Sequence, residues 1–330
     1  MKILAAFILV LVLAAIPYAG IQYAGMTTVF GIIIPYAAVI IFIVGVVYRI
    51  VKWARSPVPF RITTTCGQEK SLPWIKQNKL DNPSGTAGVV GRMALEILCF
   101  RSLFRNTRSE LRDGPRLSYG STVWLWLAAI AFHWSFLVIL IRHFRLFSQP
   151  VPHFINVLEN VDGFLQIGIP TLYITDILLL AAVLYLLLRR IALPQIRYIS
   201  LIADYFPLFV IFGIGLSGVL MRYFYRVNVI GVKELVMGLI AFKPHVPPDI
   251  GTLFYIHLFL IATLFAYFPF SKLMHMGGVF LSPTRNLANN NRMVRHINPW
   301  NYPVHVHTYA EYEDEFRDKM KSVGLPVEKE

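Results

Sequence analysis

Cysteine is nearly missing from this chain. There are two in 330 residues, Cys66 and Cys99, and neither belongs to a CxxC pair. An ordinary iron–sulfur cluster takes four thiolates, so this chain holds none of its own. Charge is scarce as well, at 15% of residues against about 25% in an average soluble protein. The acidic sign is scarcest, with 18 Asp and Glu against 31 Lys and Arg. Those shortages exclude an ordinary water-soluble domain. What is present instead is 56% hydrophobic residues, with 24 Phe and 16 Tyr.

The apolar residues gather into six runs: 3–18, 29–50, 121–146, 167–188, 199–223 and 250–270. A helix needs roughly 20 mostly apolar residues to cross a bilayer, and these runs predict an all-α integral membrane protein with six transmembrane helices. The first run competes with a secretory signal. Its end, Ile16-Pro17-Tyr18-Ala19-Gly20, is a poor small-residue cleavage site, which favours a retained helix. Lys2, residues 49–116, the loop 189–197 and the tail from Lys272 carry 25 of the 31 basic residues. Positive charge stays on the cytoplasmic side. The expectation is therefore a multi-pass protein of the cytoplasmic membrane with both termini inside. Orientation already explains the basic balance, so nucleic-acid binding is not implied. Both cysteines fall on the cytoplasmic side, where a structural disulfide is not expected.

The organisation read from composition has five parts. Residues 1–27 form an additional N-terminal helix and turn, and 28–50 a first bundle helix. Residues 51–120 form a cytoplasmic insertion, 121–281 the four-helix remainder, and 282–330 a cytoplasmic tail that docks to a partner. Within the insertion, Val90, Ala94, Ile97 and Leu98 recur at helical spacing, which predicts an amphipathic helix over 87–104. It suits either the headgroup plane or a docking platform. The loops 147–166 and 226–249 are expected as outer lids or short interfacial helices. The tail run from Glu311 to Lys319 reads as one helical stretch that needs a partner to be ordered. Asp176 lies inside the fourth run, where a carboxylate is a functional candidate by default, as a polar relay or as a neutral group bonded to a neighbouring helix. Asp204 starts the fifth run, at a depth that suits a salt bridge or cap. Gly213, Gly215 and Gly218 line the fifth run, for close helix approach or for a flat ligand.

Four histidines lie on two apolar segments that extend two of these runs. His133 and His143 are ten residues apart in 121–147; His257 and His275 are eighteen apart in 250–277. If the two helices run antiparallel, His133 meets the depth of His275 and His143 that of His257. Each pair suits the two axial positions of a haem iron, giving an inner and an outer haem that cycle by one electron. Ten residues rise about 15 Å and eighteen about 27 Å, the latter five whole turns that keep His257 and His275 on one face. A helix end loosened after Pro269 has to absorb the difference. Met274 and Met276 are rival ligands beside His275. The absence of a CxxCH run excludes covalent c-type haem, so haem b is implied. Arg142, Arg145, Arg189 and Arg222 are candidates to pair with propionates. His305 and His307 form a minor metal candidate. A haem-free transporter with Asp176 as its relay, and a structural anchor, are the competing readings.

Both histidine spacings resemble those of the nitrate reductase gamma subunit family, di-haem membrane cytochromes b with a five-helix bundle. The tail, with Asn298-Pro299-Trp300-Asn301 and Val306-His307-Thr308-Tyr309, and the long cytoplasmic insertion resemble the DsrM family. DsrM proteins are the haem b subunits of DsrMKJOP complexes in sulfite and sulfate respiration. The resemblance implies an electron-transfer subunit of a menaquinol oxidoreductase, with the inner haem between His133 and His275 and the outer between His143 and His257. It implies menaquinone near the outer haem, with Arg142, Asp162 and Arg222 as quinone or propionate candidates. The implied partners are the cytoplasmic iron–sulfur subunit DsrK, the second membrane subunit DsrP, the periplasmic multihaem cytochrome c DsrJ, the periplasmic iron–sulfur protein DsrO and the sulfur carrier DsrC. The terminal reduction site, on a DsrC trisulfide, is expected on another subunit. Heterodisulfide-reductase-like and haem–menaquinol complexes are the related alternatives.

Overall fold

The computed structural model describes residues 1–56, 67–293 and 305–329. Cys66, His296 and the run Asn298-Pro299-Trp300-Asn301 lie outside the described residues.

Two units make up the chain, one of residues 1–56 with 90–286, the other of 57–89 with 287–330. The first begins with α1, Lys2–Ala24. A π-helical turn over Val29–Ile33 leads into α2, Ile34–Ala54. Pro35, which has no N–H to give the preceding turn, follows directly on that π turn. Next come α3, Thr86–Cys99, and the short α4, Arg101–Phe104. Strands β1, Thr107–Arg112, and β2, Arg116–Ser121, pair antiparallel. Then follow α5, Val123–His143; α6, His153–Asp162; α7, Ile174–Ala192; and α8, Pro194–Ile199. The rest are α9, Ile202–Val219; α10, Val229–Ile240; α11, Thr252–Tyr267; α12, His275–Gly278; and α13, Pro283–Asn286. The last helix, α14, Tyr309–Ser322, belongs to the second unit.

Among the described residues, five helices are long and apolar enough to cross a membrane: Lys2–Ala24, Val29–Ala54, Val123–Leu146, Ile202–Phe224 and Thr252–Phe270. The fourth run of the sequence forms α7, 19 residues long, with Asp176 in its first turn and Arg189 and Arg190 in its last. α5 packs on α7, α7 on α9, and α11 on α1, α2 and α9. The centre of this bundle is apolar, with Ala6, Val183, Tyr205, Val210 and Leu260 almost fully enclosed. Outward, α2 exposes Ile40, Ile43, Val44 and Val47, a surface that lipid satisfies and water does not.

Three expectations are corrected. The chain is mostly rather than wholly helical, because residues 107–121 fold as a polar hairpin around Asp113-Gly114. The helix expected over 87–104 is broken at Phe100, which takes a left-handed φ of 50°. His257 and His275 do not share one helix. α11 ends at Tyr267, and two 3-10 turns, Phe268–Phe270 and Lys272–Met274, flank an extended Ser271. Pro269 cannot donate to the helical ladder, and Gly45 of α2 packs against it so closely that a Cβ there would lie 2.7 Å from Pro269 Cβ.

In the second unit, buried Asn82 and Asn289 are joined side chain to side chain at 2.5 Å, and the Asn289 N–H donates to the Pro83 carbonyl at 2.8 Å. α14 starts with a capping box. The Thr308 N–H donates to Glu311 Oε2 at 2.8 Å, and the Glu311 N–H to Thr308 Oγ1 at 3.3 Å. Glu313 is buried and accepts the backbone N–H groups of Glu328 and Lys329, each at 2.8 Å. These donors hold its carboxyl below the usual carboxylate range against the opposing effect of burial. The tail helix thus closes on its own C-terminal segment.

Candidate functional site: two facing histidine pairs

The four histidines meet in two pairs. His143, the last residue of α5, faces His257 of α11, with ring centres 6.4 Å apart and planes only 17° from parallel. His133, ten residues earlier on α5, faces His275 at the start of α12, with centres 5.9 Å apart and planes at 84°. Metal–imidazole bonds are about 2 Å long, and each Nε2 lies about 1.1 Å from its ring centre. Two imidazoles on one iron therefore stand with centres roughly 6 Å apart, which both pairs match.

Every Nδ1 is occupied. His133 Nδ1 lies 2.7 Å from the Ala129 carbonyl, His143 Nδ1 2.7 Å from that of Ile139, and His275 Nδ1 2.9 Å from that of Lys272. His257 Nδ1 lies 2.8 Å from the Ser217 hydroxyl. A carbonyl can only accept, so the first three rings carry their proton on Nδ1 and keep the lone pair on Nε2. Metal-ligating histidines are held in this way. Each pair has one enclosed ring, buried His257 and half-buried His133, and one open ring, His143 and His275.

Aromatic and indole groups shape the inner pair. Phe100 and Phe132 each stand edge-on to His133 at 4.9 Å. The end of α3 is tied to α5 by two indoles: Trp126 Nε1 donates to the Cys99 carbonyl at 2.7 Å and Trp134 Nε1 to that of Leu98 at 3.1 Å. These are carbonyls that a helix end leaves without partners. Met274 is buried and Met276 exposed; the ring that faces His133 is that of His275.

Next to the outer pair lies an ion cluster. Arg142 contacts Asp176 Oδ1 at 2.5 Å through Nη2 and Asp162 Oδ2 at 3.2 Å through Nε, and all three side chains are nearly buried. Thr175 donates to both Asp162 oxygens, from its N–H at 2.9 Å and its hydroxyl at 2.7 Å. Tyr223 donates its hydroxyl to Asp176 Oδ2 at 2.9 Å and accepts the Tyr173 N–H at 3.0 Å. The guanidiniums of Arg142 and Arg222 lie 3.9 and 4.0 Å from the centre of the Tyr173 ring, a cation–π arrangement. Arg142, Asp162, Asp176 and Arg222 are thus brought into one constellation, and both oxygens of Asp176 have partners. Sequence reasoning missed Tyr173, Thr175 and Tyr223, which had no signal beyond their closeness to Asp176 and Arg222.

Other candidates lie elsewhere. Arg145 is paired to Glu159 of α6 at 2.9 Å. Asp204 both caps α9, through the Leu201 N–H at 2.9 Å, and pairs with Lys272 at 2.6 Å. Gly213 approaches Leu260 and Gly215 approaches Leu179 and Leu180, so both serve helix packing, whereas Gly218 lies against His257. His305, His307 and Glu311 bring ligand atoms within 4.8 Å of one another on an exposed surface.

Apolar spans, two facing histidine pairs and buried charge define a multi-pass membrane protein of the cytochrome b kind. The chain belongs to the nitrate reductase gamma subunit family, whose profile matches residues 93–296. It is 48% identical over 279 residues to the Hdr-like menaquinol oxidoreductase cytochrome b-like subunit of Archaeoglobus fulgidus, covering 82% of this chain and 83% of that one. The protein of the same description from Archaeoglobus profundus is 42% identical over 274 residues, 81% of each chain. One subunit of the dihydromethanophenazine:CoB–CoM heterodisulfide reductase of Methanosarcina thermophila is 25% identical over 260 residues, 76% of this chain and 88% of that one. Membership implies haem b, and a redox role within a complex of several subunits.

Proposed function

We propose that this chain is the haem b subunit that carries electrons between the menaquinone pool and a cytoplasmic heterodisulfide-reductase-like iron–sulfur subunit. One observation carries the reading: two facing histidine pairs, both at the spacing of a bis-imidazole iron and with their Nδ1 positions engaged. His133 and His275 would hold an inner haem b, His143 and His257 an outer one. Bound there, the two groups would supply one-electron couples at two depths of the bilayer. The names of the Archaeoglobus relatives support menaquinol as the reductant.

In this reading α7 is the sixth span. Its 19 residues rise about 28 Å, its arginines reach the inner headgroups, and Asp176 is neutralised by Arg142. Both termini then lie on the cytoplasmic side. The cluster of Arg142, Asp162, Asp176, Arg222 and Tyr223, beside the outer pair, would border the quinol site, with Asp176 as the candidate polar relay. The tail wording favours the DsrM assignment, with DsrK, DsrP, DsrJ, DsrO and DsrC as partners, over the Hdr-like menaquinol complex named for the relatives.

A reduced-minus-oxidised spectrum of the purified chain, with haem counted per polypeptide, tests the core of the proposal. Two b haems are expected, and single replacement of His133 or His257 by alanine should remove one of them. A haem-free parent would overturn it. The partner assignment is tested by asking whether the purified complex reduces DsrC trisulfide with menaquinol.

A further inference from the structure

The four rings are not held alike. Three of the Nδ1 atoms face a backbone carbonyl three or four residues earlier in the same stretch of chain. His257 Nδ1 instead faces a side chain of another helix, the Ser217 hydroxyl of α9, at 2.8 Å. Ser217 is buried. Its Oγ also lies 2.7 Å from the Gly213 carbonyl and 3.0 Å from that of Ile214. A hydroxyl has one proton to give. With two carbonyls of its own helix as acceptors, that proton is used there, and the oxygen presents a lone pair to His257. The proton of His257 is then on Nδ1, and Nε2 keeps the lone pair with which it would hold an iron. The next residue, Gly218, gives the ring its room, since a Cβ there would lie 3.4 Å from His257 Cε1.

We propose that Ser217 is the positioning residue of the outer haem, fixing the tautomer and plane of His257 and setting the midpoint potential of that haem independently of the inner one. The inference rests on the haem-ligand reading above. An N–H···O bond at Nδ1 makes the opposite nitrogen a stronger donor, and a stronger donor favours ferric over ferrous iron. Without the hydroxyl, the ring loses its side-chain acceptor and keeps only the backbone carbonyl of Ile214, so Nε2 donates less and the midpoint rises.

The test is a redox titration of the full chain in detergent, followed in the haem absorption bands. Two backgrounds separate the centres: His133→Ala keeps only the outer haem, and His143→Ala only the inner. In the first, Ser217→Ala should raise the midpoint by an amount equivalent to about tenfold in the electron-transfer equilibrium, about 59 mV for one electron. Ser217→Thr, which keeps the hydroxyl, should restore the parental value. In the second background Ser217→Ala should change nothing. Equal midpoints for Ser217→Ala and its parent in the first background, or equal shifts in both, overturn the proposal. If Ser217→Ala sheds the outer haem, Ser217→Thr decides: retention at the parental midpoint supports it, and loss overturns it. Absence of haem from the unmodified chain overturns the functional reading instead.

Discussion

The outer and inner histidine pairs are built from the same residue type at nearly the same spacing, yet they are held by different means. The outer rings come from regular helix, the end of α5 and the first half of α11, and lie within 17° of parallel. The inner pair joins the middle of α5 to a four-residue helix behind two 3-10 turns, and its rings stand at 84°. The bend is what reconciles unequal spacings. From His257 to the end of α11 at Tyr267 is ten residues, the same helical rise, about 15 Å, as from His143 back to His133. The eight residues that follow turn the chain instead of extending the helix. The outer geometry thus depends on a hydroxyl and an ion cluster in the bundle, and the inner on a break held by α2.

Removing Arg142 should break this contrast most strongly. Arg142→Ala leaves Asp162 and Asp176 enclosed without their cation, and loss of one partner from a buried ion pair costs about 3–5 kcal/mol. The expected outcome is a lower melting temperature and weakened retention of the outer haem, with the inner spectrum intact. The double change Arg142→Ala with Asp176→Asn should recover part of the loss, because it removes one stranded charge as well. Thermal melts combined with haem counting check both. Equal loss of both haems would mean that the two pairs are not separately supported.

The four histidines were legible in the sequence because a titratable side chain in lipid-embedded sequence stands out, and because their spacings are countable. Five of the six runs were legible as helices long and apolar enough to cross a membrane, while the run 167–188 was not, because Asp176, Arg189 and Arg190 punctuate α7. Asp204 was legible as a cap or salt bridge from its depth alone. The supporting residues were not. Ser217, Tyr173 and Tyr223 are ordinary in type and gain meaning only when α11 packs on α9, bringing His257 to Ser217, and α7 packs on α9, bringing Tyr173 and Asp176 to Tyr223. The extent of the bend was hidden because Pro269 marks a break but not where the helix resumes. Phe100 is silent in sequence, since nothing in it foretells a left-handed residue beside His133. The hairpin did leave a sign, Asp113-Gly114 between two short runs, overlooked amid so many polar residues.

Gly45 offers the converse test. Gly45→Val places a branched side chain where Pro269 Cβ and Cγ lie 2.7 and 2.8 Å from the new Cβ. Overpacking of this kind costs about 1–3 kcal/mol. α2 and the bend must separate, and His275 moves with the bend. The expected signature is a changed inner-haem spectrum at an unchanged outer one, the mirror image of Arg142→Ala. A variant in which only the outer haem responds would reverse the assignment of which pair the bend supports.

The smallest effect is expected from the tail. Glu313 is held below the ordinary carboxylate range first by the Glu328 N–H, with the Lys329 N–H and Arg317 adding to it. A folded value below the unfolded one, about 4.3 for a glutamate, means that its contribution to stability is complete above that unfolded value. It is lost as pH falls through the folded value, because the protonated carboxyl no longer rewards the folded state. Between pH 7 and 5 nothing should change. Below about pH 4 the C-terminal segment should release from α14. Amide exchange at Glu328 and Lys329, corrected for intrinsic rates, reads this directly. Glu313→Gln should show reduced protection already at neutral pH and no acid step. Neither haem spectrum should follow the transition, since no residue of this network belongs to either pair. If the inner spectrum alone follows it, the support of His275 extends beyond Gly45 and the bend to the tail, and the contrast between the two pairs widens to include it.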